Sequence, residues 1–349
     1  MNAAHVTIND VARAAGVSKG LVSLALNDRR GVSPETRDRI LAAAQDLGWN
    51  PNPSARGLST RRAYALGLIL RRDPRTIEVD PFFSAFIAGV ETVLSERGQV
   101  LVLSVVRDHE AEAKAYTRLA TDNRVDGFLL TDLLGDDDRI RLLESLGTQA
   151  VSLGAPAATS PFPVISRDYD DGIDALMAHL FSLGHREIAH ISGDERMLHG
   201  RQRRARYEHA MRDAGLEPLV ISTDFSPEQG AEATKQLLDG PRRPTAIVYG
   251  NDPMAVAGMG VAHERGLRLP ADLSITGLDG SQIGTYIYPA LTTLDNDPTE
   301  WGIAAATALL RLVEDGESED VTLPPATLVV RASTAAPASA PARPSSKSR

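Results

Sequence analysis

The sequence predicts a small all-helical head followed by a two-lobed α/β body with parallel sheets. Three observations carry this: short capped amphipathic segments fill residues 1–50, apolar runs alternate with helical stretches from Ala65 onward, and 349 residues exceed one comfortable core. A hydrophobic content of 42% with 24% charged residues fits a filled globular core.

The first helix is predicted where Thr7 and Asp10 form a capping pair, Ile8, Val11, Ala12 and Ala15 make one stripe, and Gly16 ends the run. Ser18 caps a second helix after only two residues, with Val22, Ala25 and Leu26 inward. Ser33, Pro34 and Glu35 open a third, whose Ile40, Leu41, Ala44 and Leu47 are expected to close a miniature core. The spacing is that of a helix-turn-helix, whose second helix enters a major groove.

Residues 51–62 contain Pro51, Pro53, Ser54, Ser59 and three arginines, a composition that reads either as a linker or as a segment folding only against a partner. Beyond it, strands are expected at Ala65–Leu70, Val100–Val106, Gly127–Leu130, Ala150–Leu153, Ile188–Ile191, Ala246–Tyr249 and Ser274–Leu278. Such alternation predicts two similar lobes with a ligand between them. Residues 332–349, rich in Ala, Pro and Ser, read as a disordered tail. The expected domains are therefore 1–50, 51–62, 63–331 and 332–349.

The net charge of −9 conceals a polarity: residues 1–62 hold 9 Lys/Arg against 5 Asp/Glu, and the remainder 28 against 41. That is the distribution expected if only the head meets phosphates, although a short segment can reach it by sampling alone. The absence of cysteine excludes disulfides and cysteine-ligated metals. With no signal-peptide pattern and no apolar run of about 18 residues, a cytoplasmic location is expected, with neither export nor a membrane partner.

Enzyme signatures are missing. Gly258-Met259-Gly260 lacks the third glycine of a dinucleotide fingerprint and falls in a helical stretch. His179, His185 and His190 do not have zinc-ligand spacing and are expected to be satisfied surface or interface side chains. There is neither a nucleophile elbow nor a phosphate-cradling lysine loop. No catalytic residue, cofactor or metal is expected.

Several segments resemble the lactose-repressor (LacI/GalR) family: Val6 to Ala12, Gly16-Val17-Ser18, Ser23 to Asn27, Val32 to Arg37, and Leu47 to Asn52 with Ala55-Arg56-Gly57-Leu58. The resemblance continues through Asp80-Pro81-Phe82-Phe83, Arg124 to Gly127, Leu183 to Ile188, Pro244 to Ile247 with Asn251-Asp252, and Pro289 to Thr293. It implies a hinge helix at 51–62 and a periplasmic-binding-protein-like effector domain to about Arg331. The implied function is a DNA-binding transcription regulator, a repressor by expectation, controlled by a small effector between the lobes. A sugar or sugar derivative is the effector class the family suggests, and the DNA partner is a near-palindromic operator held by a homodimer, with tetramer formation left open. An importer's solute-binding component would share the two-lobed fold, but residues 1–62 contradict it.

By the same resemblance Thr7, Ser18, Ser23 and Asn27 bond phosphates, while Lys19, Gly20 and Leu24 face bases. Asn52, Ala55 and Leu58 of the hinge contact DNA, with Leu58 as a minor-groove wedge. Leu24 stands where the family often has a polar or basic residue, and Leu21 where it usually has Thr or Ala, so hydrogen-bonded readout is expected to be reduced. Both leucines could instead extend the core. In the body, Arg203 and Asp279 are implied to hold ligand hydroxyls, with Asn251 and Asp252 nearby and Phe225 and Phe82 on the cleft. Alternatively Arg203 belongs to one solvated face with Arg201, Arg204 and Arg206, and Phe225 is core. Gly280 and Arg206 depart from the residues the family usually has there.

Overall fold

A computed structural model of the chain describes residues 6–26, 31–49, 62–156 and 160–338. It divides into two compact units, Met1–Tyr64 and Ala65–Arg349.

In the first unit, α1 (Ile8–Ala15), α2 (Lys19–Leu26) and α3 (Pro34–Asp46) surround a core of Val11, Ala12, Ala15, Val22, Ala25, Ile40 and Ala44. Gly16 ends α1 in the left-handed conformation at φ 63°, and the Ser33 hydroxyl accepts from the Thr36 N–H at the start of α3. The Arg39 guanidinium donates to the Ala15 carbonyl at 3.1 Å, tying α3 to α1. Leu41 and Leu47 do not close this core, for both are exposed at 46% and 37%. Ile40, Ala43 and Ala44 fill the inward face instead, and Trp49 packs from beyond the helix.

The second unit begins with β1 (Ala65–Arg71), α4 (Pro74–Val79), α5 (Pro81–Glu96), β2 (Val100–Val106) and α6 (His109–Thr121). It continues through β3 (Gly127–Leu130), α7 (Asp138–Ser145), β4 (Gln149–Leu153), β5 (Val164–Arg167), α8 (Asp170–Ser182), β6 (Ile188–Ser192), α9 (Leu198–Asp213) and β7 (Leu219–Ser222). After α10 (Pro227–Asp239), β8 (Ala246–Tyr249), α11 (Asp252–Glu264) and β9 (Ser274–Thr276) comes the short α12 (Ile283–Tyr286). The last elements are β10 (Thr293–Asp295), α13 (Pro298–Asp315), β11 (Val321–Leu323) and β12 (Thr327–Val329).

Two parallel sheets result. The N lobe has the order β11-β5-β4-β3-β1-β2 and the C lobe β7-β6-β8-β9, with β10 and β12 as a separate antiparallel pair. Strands β1, β3, β6 and β8 are buried along almost their whole length, as parallel strands covered on both faces must be. The edge strand β2 is only half covered. In the N lobe, α5 and α13 cross with almost no space between them: a Cβ on Gly89 would come 2.1 Å from the Thr299 carbonyl oxygen, and one on Gly302 2.1 Å from that of Phe86.

The chain passes between lobes three times, after β5, after β10 and after β11, and the Ala326 N–H donates to the Asp168 carbonyl at 3.1 Å where two passages meet. Residues 332–338 are not a loose tail. The Ser333 hydroxyl donates to the Ile275 carbonyl and accepts from the Thr292 N–H, while the His185 ring bonds the Ala335 carbonyl at 2.9 Å. The predicted tail is thus corrected at its start, and residues 339–349 lie outside the described residues. So do 50–61, and with them the predicted hinge including Asn52, Ala55 and Leu58.

Candidate functional site

In an open parallel sheet a crevice forms at the carboxyl ends of the strands, where successive connections leave in opposite directions. Here that point falls between β1 and β3 in the N lobe and between β6 and β8 in the C lobe. A cavity of about 200 Å³ lies between these ends.

The C-lobe wall carries the predicted pair. Arg203 on α9 is buried, unlike the exposed Arg201, because it points from α9 toward the loop after β8, where it donates to the Gly250 carbonyl at 2.7 Å. Its guanidinium lies 3.9 Å from the Asp279 carboxylate and 4.9 Å from the Tyr169 ring centroid. Asp279 accepts from the Asp252 N–H at 2.8 Å. Burial and the nearby Asp252 raise the Asp279 pKa to about 8 despite Arg203.

Phe225 sits in the left-handed region at φ 69° and stacks on His199, ring centroids 5.2 Å apart. Gly193 makes this possible, since a Cβ there would fall 1.9 Å from the Phe225 ring. Burial, with Arg203 adding to it, pushes the His199 pKa down to about 3, so the ring is neutral.

Asn251 and Asp252 differ from the expected ligand contacts. Asn251 lines the cavity, but its amide donates to the Phe225 carbonyl and its oxygen accepts from the Met254 N–H as the cap of α11. Asp252 does not line it at all. Its carboxyl oxygens accept from Thr293, from both Ser281 donors and from the Asp279 N–H, so this fully buried side chain holds loops together. The assignment of Asp252 as a ligand contact is therefore corrected.

The N-lobe wall contains Phe82, stacked on Phe86 at 6.0 Å, and also residues the sequence reading passed over: Arg72, Asp80, Asp132, Arg167 and Trp301. Arg72 directly follows β1 and Asp132 is the second residue beyond β3, and they form a two-point pair, Nε to Oδ2 and Nη2 to Oδ1, both 2.7 Å. Burial opposes the Asp132 charge, but the attraction and hydrogen bonds of Arg72 outweigh it and hold the carboxyl down at about 2. Arg139 donates to the Thr131 and Asp132 carbonyls and fixes the turn, where Asp132 has φ 51°. Asp80 caps α5 and is shifted upward by burial. Three buried N–H groups in the wall, Arg167 Nε, Arg203 Nε and Trp301 Nε1, have no acceptor among the described residues.

In the first unit Ser18, Lys19 and Gly20 are exposed at the start of α2, and the Ser18 oxygen accepts from the Leu21 N–H. The Thr7 hydroxyl is exposed and donates to the Asp10 carboxylate at 2.7 Å. Ser23, Leu21 and Leu24 are half-buried, and neither leucine belongs to the three-helix core. Asn27 lies outside the described residues. His185 and His190, expected as satisfied surface or interface side chains, are hydrogen-bonded but buried in the C lobe, His190 bonding the Val248 carbonyl and His185 the Ala335 carbonyl. Among the described residues no group of three or more His, Asp or Glu is placed to hold a metal, and no helix is long and apolar enough to cross a membrane.

Residues 7–52 match the bacterial regulatory proteins of the lacI family, and residues 177–334 match the periplasmic binding protein-like domain. The HTH-type transcriptional regulator CelR of Thermobifida fusca is 34% identical over 299 residues, 84% of this chain and 87% of CelR. A solved complex of the transcriptional regulator CelR with cellobiose superposes with a TM-score of 0.72 at 30% identity, covering 94% of this chain and 99% of that one. The lac repressor dimer bound to operator and the anti-inducer ONPF gives 0.81 at 29% identity, covering 95% and 100%.

Proposed function

This chain belongs to the LacI family of bacterial regulatory proteins, and from that premise we propose a cytoplasmic homodimeric repressor whose hold on a near-palindromic operator is controlled by a sugar between the lobes. It is a DNA-binding transcriptional regulator with an effector domain, not an enzyme. A dimer is supported by the lac repressor's dimeric, operator-bound form, since a twofold protein reads a twofold site.

The exposed start of α2 supports Ser18 on phosphate and Lys19, Gly20 and Leu24 toward bases, with Thr7, Ser23 and Asn27 also on the backbone. Leu24 suits a thymine methyl rather than a guanine edge. Asn52, Ala55 and Leu58 are assigned to the hinge on the minor groove.

The effector reading rests on one observation: the cavity joins unsatisfied donors and a proton-bearing carboxyl to aromatic faces. Arg203, Arg167 and Trp301 offer N–H groups to acceptor oxygens, Asp279 can donate or accept, and Phe82, Tyr169 and Phe225 offer flat apolar surfaces. A polyol ring presents the complementary pattern. CelR's cellobiose complex supports a sugar as the class. To move the lobes from 99:1 open to 1:99, the effector needs about 5.5 kcal/mol of preference for one conformer.

The test is a gel-shift titration on an operator selected from random duplexes, with cellobiose, glucose and ribose as probes. A sugar should shift operator affinity in the wild type, and Asp279→Ala should abolish that response while still binding operator. If Asp279→Ala responds at the same sugar concentration, the cavity assignment fails.

A further inference from the structure

Arg72 does more than neutralise Asp132. Its guanidinium carbon lies 5.4 Å from the Phe83 ring centroid in its own lobe and 5.6 Å from the Phe225 centroid in the other, with the Met197 sulfur of that lobe 3.6 Å from Nη2. His199 also stacks on Phe225, so the ring that meets the cation is itself packed within its own lobe. Beside it the backbones join: Leu134 and Met197 form an antiparallel bridge, and the Leu198 N–H donates to the Leu133 carbonyl at 2.8 Å.

We propose that the Arg72–Asp132 pair is a lobe-closing element of the effector site: a planar cation, fixed by the N lobe, that clasps the Phe225 ring of the C lobe without any ligand. Each part is held rigidly, which is what makes the clasp specific to one lobe arrangement. Asp132 grips the guanidinium at two points and is itself placed by Arg139. The Phe225 ring is packed closely against Gly193 and His199 of its own lobe. A cation between two aromatic faces in a site shielded from water is favoured. The closed arrangement is therefore partly formed before the effector arrives, and the effector needs a smaller preference to complete it. That consequence rests on reading the cavity as the effector site; the clasp itself does not.

The test uses ligand-free full-length protein and residue-resolved amide exchange. The Leu198 N–H is protected by the opposite lobe, so its exchange reports closure. Arg72→Ala should accelerate it roughly tenfold, while control amides at Leu129 and Ile191 inside each sheet keep their rates. Phe225→Leu, which leaves the Arg72–Asp132 pair intact, should accelerate Leu198 alike, and the double variant should exchange no faster than either single one. A wild type in which Leu198 exchanges as an open amide overturns the proposal, as do variants that leave Leu198 unchanged or that accelerate it only together with the controls. A failed sugar titration with protected Leu198 would instead reject the effector reading and leave the clasp standing.

Discussion

At the scale of single residues, Asp279 has one carboxylate oxygen bonded to the Asp252 N–H, and the other faces Arg203 at the cavity wall. Its pKa rises from 3.8 to about 8 through burial first and Asp252 second. Between those values the folded chain binds more protons at this site than the unfolded chain, so this residue's contribution to stability falls as pH rises through the window. Asp279→Asn carries no such titration. The melting temperature of the variant minus that of the wild type should therefore increase from pH 5 to pH 8, measured by scanning calorimetry without ligand. A difference flat in pH would contradict the assignment. Phe82 was legible on the cleft through the short segment Asp80-Pro81-Phe82-Phe83, and Arg203, Asp279 and Phe225 through family resemblance alone. Arg72 and Asp132 were not, although each lies two residues beyond the end of a strand expected from the sequence. The missing step was strand order: only when β1 and β3 are neighbours do the two side chains meet. Asp252 misled because a carboxylate beside Asn251 reads the same from sequence whether it faces a ligand or caps loops.

Among the elements, strands with a continuous apolar run were legible, whether covered like β1 or half exposed like β2. Continuous apolar runs gave β1, β2, β3, β4, β6, β8 and β9 to within a residue or two at each end. Strands β5, β7, β10, β11 and β12 are three or four residues long, and most are only partly covered, so no apolar run announces them. The third helix shows the converse error, for Leu41 and Leu47 keep helical spacing yet face outward. The crossing of α5 and α13 depends on glycine in a way that periodicity cannot reveal. A Cβ on Gly89 would meet backbone rather than a flexible side chain, so the helices must move apart. Gly89→Ala should lower stability by roughly 1–3 kcal/mol in urea unfolding, the usual cost of overpacking a core. An unchanged midpoint would mean that the crossing tolerates more separation than its geometry implies.

For the whole molecule, the counted polarity sets 9 basic against 5 acidic residues in the first 62 positions and an acidic excess in the rest. The electrostatic part of operator affinity should therefore come from residues 1–62 and fall steeply with salt. A dimer neutralising six to ten phosphates would lose about 10³ to 10⁵ in affinity between 50 and 200 mM salt. Fluorescence anisotropy across that range checks this, and a shallow slope would argue against a phosphate-gripping head. The two-unit plan and the two-lobed body were legible from alternation and length, whereas the threading between lobes was not, because it is set by long-range pairing. That threading bears on synthesis. Phe86, Val90 and Leu94 pack against Trp301, Ala305 and Leu309, and β11 at Val321–Leu323 closes the same sheet. The lobe that leaves the ribosome first is thus completed only after most of the chain has been made. At about 5–20 residues per second, it waits on the order of 10–40 s with an apolar face bare, which makes the nascent chain a natural client for holding chaperones.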